Sequence, residues 1–80
     1  MNSDLQRHVV RSAFRSGREL QELLLLLKEH ASPEEYQSFR LGIANAMAAI
    51  ASGITDKVIS SNPEMKSEID ANIKRYGLFL

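Results

Sequence analysis

The chain has 80 residues, no cysteine, and ten basic against ten acidic side chains. A monomer of that length is one small domain, and it hides only about 60% of the surface its unfolded chain exposes. Lack of cysteine excludes disulfide, iron–sulfur and thiolate-zinc staples, 44% hydrophobic content argues against disorder, and zero formal net charge argues against nucleic-acid binding by overall electrostatics.

The first eight residues, Met1 to His8, have no apolar stretch behind their charges, so they do not read as a secretory signal. The longest uncharged run, Leu41 to Thr55, is 15 residues. A bilayer span needs roughly 20. A cytoplasmic protein without a membrane segment is expected.

Capping signals cut the chain into three helices at about 4–30, 33–60 and 63–76. Ser3 followed by Gln6 is a weak first start. Ser32-Pro33-Glu34-Glu35 is a strong second one, with a serine cap, proline at the first helical position and a capping-box glutamate. Asn62-Pro63-Glu64 repeats the logic with asparagine as cap. Gly77 follows Lys74-Arg75-Tyr76 and suits a left-handed helix stop. No alternating β-branched run or Asn-Gly turn suggests a strand.

Helix 1 carries an apolar stripe at Val10, Ala13, Gly17, Leu20, Leu24 and Leu27. Arg7, Arg11, Arg15 and Arg18 share a sector of about 80° on the other side of a helical wheel. Leu23, Leu24, Leu25, Leu26 and Leu27 cannot all face one core, and Leu25 and Leu26 point to the arginine side. Ser16-Gly17-Arg18-Glu19 could restart the helix, but the stripe keeps phase across it. An unbroken helix of ~26 residues would be ~39 Å long. A compact chain of this length is only about 30 Å across. The overhang and the leucine run both point to a partner chain.

Helix 2 places Tyr36, Phe39, Ile43, Met47, Ile50 and Ile54 on one face. Small residues surround them, Gly42, Ala46 and Ala49 among them, and would let another backbone approach closely. Gly53 could instead end this helix early, with Thr55 capping a further short one. Helix 3 is amphipathic through Met65, Ile69, Ile73 and Tyr76, and the tail Leu78-Phe79-Leu80 must dock or stay frayed.

No constellation carries chemistry. His8 and His30 are the only histidines and lack the spacing of a zinc helix. The acid pairs Glu34/Glu35 and Glu64/Glu68 lie in first turns, where the helix dipole favours them. No glycine-rich phosphate loop is present. The expectation is therefore no enzyme, no cofactor and no metal. The arginine row is the one feature with functional pull. Residues 1–18 sum to +3 and residues 19–35 to −4. Arg15 and Arg18 can pair with Glu19 and Glu22 at i+4. In an antiparallel dimer, the basic half of one helix 1 would lie beside the acidic half of its mate.

Glu22-Leu23-Leu24, Leu27, His30, Pro33 and Leu41-Gly42 resemble the YejL family of small bacterial proteins. The resemblance covers about 21 residues and leaves the Asn62-Pro63 helix unmatched. It implies a bacterial helical protein that pairs, and nothing about chemistry.

The expected fold is all-α: a long helical hairpin plus a short C-terminal helix, completing a bundle as a homodimer. Self-association would use Leu20, Leu23, Leu24, Leu25, Leu26, Leu27, Gly42, Ala46 and Ala49. The free Arg7, Arg11, Arg15 and Arg18 would bind a partner. The expected role is a non-catalytic protein-interaction or regulatory module. One alternative is a nucleic-acid-binding regulator using the arginine row. Another is a heteromeric subunit such as an immunity protein, antitoxin or secretion chaperone.

Overall fold

The computed structural model describes all residues 1–80 and is all-helical. Helix α1 (Ser3–His30) runs 28 residues without a break at Ser16-Gly17. Its cap is Asn2 rather than Ser3: the Leu5 N–H donates to Asn2 Oδ1 at 2.8 Å. Gln6 does not close a capping box. It is buried, and its Oε1 accepts a bond from Asn62 Nδ2 at 2.9 Å.

Helix α2 (Pro33–Ile50) starts as its sequence demands. Glu35 N–H donates to Ser32 Oγ at 3.1 Å, and Ser32 N–H donates to Glu35 Oε1 at 2.9 Å. The Ser32 backbone bond, then its side chain, hold the Glu35 carboxyl below the ordinary glutamate value. A depressed pKa stabilises the fold above the unfolded value, and that contribution is lost as pH falls through the lowered one. In a carbon-detected titration Glu35 should therefore protonate below the ordinary range. Ser32→Ala should reduce that shift without abolishing it, because the backbone N–H that bonds Glu35 Oε1 remains, while loss of the hydroxyl cap should cost about 1 kcal/mol.

Beyond Ile50 the rod continues through a π-helical turn (Ala51–Thr55) into α3 (Asp56–Ser61). Asp56 N–H donates to the Ala51 carbonyl five residues back. Gly53 therefore does not end the helix, and Thr55 makes no side-chain cap. The extra residue rotates everything after it by about 100° relative to an uninterrupted α-helix. Ile54, expected on the core face four residues after Ile50, is turned outward, and Thr55 takes its place half-buried. Val58 is thereby buried and Ile59 half-buried against the core.

Helix α4 (Glu64–Tyr76) follows Pro63 and has no side-chain cap; the Asn62 side chain instead donates from Nδ2 to Gln6 Oε1. It ends at Gly77, whose φ is +77° and whose N–H donates to the Ile73 carbonyl at 2.8 Å. Gly77→Ala should cost about 1–2 kcal/mol in urea unfolding, since an L side chain is strained at that φ.

The core is Val10, Val58, Met65, Ile69 and Phe79, with Val9, Phe14 and Ile59 packed on it. It sits at the open end of the hairpin. There α3, α4 and the tail close on the first half of α1. The helix stripes are therefore filled unevenly. Val10 and Ala13 are buried, but Gly17, Leu20, Leu24 and Leu27 are only half-buried. On α2 only Ile43 is buried, and Phe39 is 56% exposed. On α4, Met65 and Ile69 are buried, while Ile73 and Tyr76 are exposed.

Only eight of the 80 residues are buried. The radius of gyration is 14.7 Å and the long dimension 45 Å, against a radius of about 12 Å for a compact chain of this length. The accessible surface is 5810 Å², whereas a 9.0 kDa monomer usually exposes about 4850 Å².

Candidate interaction surface

The four arginines have separate fates. Arg7 Nε donates to Glu68 Oε1, and its Nη1 lies 3.0 Å from Asp4 Oδ1. The Glu68 bond, foremost, raises the guanidinium above its ordinary pKa, so Arg7 is a charged strut between α1 and α4. Arg11 Nη2 donates to the Leu80 carbonyl at 3.0 Å and its guanidinium lies 5.8 Å from the centre of the Phe79 ring. Arg11 thus holds the tail. Arg15 and Arg18 form no ion pair, and the expected partners Glu19 and Glu22 do not reach them. Of the row proposed for partner binding, two side chains are structural and two are free.

The leucine run divides as the wheel demands. Leu24 and Leu27 are half-buried, and Leu23, Leu25 and Leu26 are 42%, 52% and 54% exposed. Leu20 is half-buried, and Gly42, Ala46 and Ala49 are all exposed. A Cβ added at Gly42 or Gly53 would meet nothing within 4 Å. Within this chain, then, no backbone approaches these small residues closely.

Two depressions fix which way each side of the hairpin faces. One is an open groove of about 430 Å³ whose lining includes Phe14, Gln21, Met47, Ala51, Ile73 and Phe79, with Arg18 its only charged member. It is partly roofed by the end of α4 and the tail. The other, lined in part by Val9, Gly53 and Ile54, lies where α1 meets the π-helical turn. On α1, helical spacing places Ser16, Leu20, Leu23 and Leu27 with Val9. On α2 it places Phe39, Gly42 and Ala46 with Ala49, and the one-residue insertion of the π-helical turn brings Ile54 into line with them. These two rows form one side of the hairpin, opposite the roofed groove. No lysine, arginine or aspartate lies in either row.

Helix 2 was expected to bury Phe39, but Phe39 lies about 50° from the mean direction of Tyr36, Ile43, Met47 and Ile50. That offset was readable and puts the ring on the open side. The rotation of Ile54 onto the same side was not readable, because it depends on the π-helical turn.

No three His, Cys, Asp or Glu side chains converge in a metal-binding arrangement. His8 is exposed, and His30 Nε2 lies 3.7 Å from Glu29 Oε2 on the surface. No helix is long and apolar enough to cross a membrane. The acids Glu35 and Glu68 are occupied by the cap and by Arg7.

Comparison with known proteins finds no matching family model, no matching curated protein and no matching solved structure. The resemblance of residues 22–42 to the YejL family therefore gains no support from a family match.

Proposed function

We propose that this chain is a non-catalytic helical module that works as a homodimer through protein contact. The observation that carries the reading is the surplus of exposed surface. The 5810 Å² of the single chain exceeds the usual value for 9.0 kDa by roughly 950 Å². A stable interface takes about 800 Å² from each partner. Much of the surplus is apolar and uncharged: no charged residue occurs between Arg40 and Asp56. A helix apolar on nearly every side is normally a buried one.

Light scattering at tens of micromolar should give twice 9.0 kDa, and the thermal midpoint should rise with concentration. A mass of one chain would refute the reading and favour a subunit that awaits a different protein. Nucleic-acid binding is the weaker reading, because Arg7 and Arg11 are occupied by Glu68 and by the tail. Retention on heparin that falls with salt and disappears in Arg15→Ala/Arg18→Ala would reverse that ranking.

A further inference from the structure

We infer that the partner on the open side of the hairpin is a second copy of this chain, laid antiparallel so that α1 crosses α1 and α2 crosses α2. The inference rests on the homodimer reading and specifies its face and orientation.

Size is distributed unevenly along that face. The bulky side chains, Leu23, Leu27 and Phe39, stand towards the closed tip of the hairpin, and Phe39 and Leu23 are 56% and 42% exposed. The small ones, Ser16, Ala46 and Ala49, stand towards the open end and are exposed. A two-fold axis running across the hairpin near Leu20 and Gly42 turns one copy end for end. Leu23 then lies over Ser16 of the mate and Phe39 over Ala46 of the mate. Each bulky group meets a gap, and each contact occurs twice, as an isologous interface requires. At the axis the mated backbones approach most closely, and Gly42 stands there with open space where a Cβ would be.

Charge selects the same orientation by a separate route. Residues 1–18 carry +3 and residues 19–35 carry −4. The antiparallel arrangement sets each basic segment beside the acidic segment of its mate. The parallel arrangement would gather two acidic tips together, and like charges so placed disfavour that mode. The free Arg15 and the unpaired Glu19 and Glu22 are the groups that feel this difference, whereas Arg18 lines the opposite groove. The opposite side does not offer the same fit, because α4 and the tail already stand over its groove.

Two variants and one cross-link test the inference on the full chain. Ala46→Glu places a charge in the mating face, and Ala48→Glu places the same charge on the outer side of the same helix. Both positions are exposed within one chain, so both variants should keep the helical circular dichroism of the wild type. Ala46→Glu should weaken dimerisation at least about 100-fold, because a buried unpaired carboxylate is costly. Ala48→Glu should leave the dimer unchanged. The chain has no native cysteine, so Ser16→Cys/Leu23→Cys should oxidise to a covalent dimer, while either single cysteine variant should not.

If the wild type is dimeric and Ala46→Glu leaves it so, this face is wrong and the homodimer reading survives. If Ala46→Glu dissociates the dimer but the 16–23 pair does not cross-link, the antiparallel orientation is overturned. If the wild type is monomeric, both readings fall together.

Discussion

Replacing Phe79 with alanine should lower the unfolding free energy by about 3–5 kcal/mol. The ring is 3% exposed although it lies next to the last residue. It packs into the cluster of Val10, Val58, Met65 and Ile69, sits 6.0 Å from the Phe14 ring at a tilt of 40°, and carries Arg11 over its face. A domain of 80 residues has a total stability of about 4–12 kcal/mol. The loss is therefore a large share of what holds the chain together. Urea unfolding followed by circular dichroism should show a midpoint well below that of the wild type, or no cooperative transition. A variant with the wild-type midpoint would show that the tail does not dock in solution. The left-handed Gly77 reverses the chain after Tyr76 and delivers Phe79 to this position, so Gly77→Ala and Phe79→Ala should be less than additive.

The helices were legible because their ends carry local chemistry. Ser32 and Glu35 form the reciprocal cap that their spacing implies, Gly77 takes the φ its position implies, and α1 passes through Gly17 in phase. Local patterns misled where a distant group competed. Asn62 reads as a helix cap, but its side chain makes no cap and instead turns its Nδ2 to Gln6, which is 56 positions away in the chain. Arg15 and Arg18 have acids at i+4, yet exposed pairs of that kind are worth only a few tenths of a kcal/mol and do not form here. Ile54 follows Ile50 at helical spacing, but a π-helical turn inserts one residue between them in phase. Nothing in Ala51-Ser52-Gly53-Ile54-Thr55 marks that turn locally. It serves to bring Val58 and Ile59 round to Val10 and Met65, which is a tertiary demand.

The location of the core was the least legible feature, and its consequences are the second large effect expected. Five consecutive leucines are the longest run of bulky apolar side chains in the sequence, and they draw attention to the closed end of the hairpin. The structure instead places the centre at Met65, 1% exposed, and Val10, 0% exposed, at the opposite end of the hairpin. Met65→Ala should therefore cost about 2–5 kcal/mol, because the site is enclosed by α1, α3, α4 and the tail and cannot collapse freely. Leu26→Ala should change stability by less than about 0.5 kcal/mol at any protein concentration, since Leu26 is 54% exposed and points away from both the hairpin seam and the mating face. Leu23→Ala separates the two roles of the run. Measured at low concentration, where single chains dominate, it should also cost little. At high concentration its midpoint should fall behind that of the wild type, because Leu23 then loses the contact with a second chain. Three alanine variants, each melted across a concentration series, thus divide the apolar residues into those that hold one chain together and those that join two. Equal losses for Met65→Ala and Leu26→Ala would place the core where the leucines are and would contradict the structure.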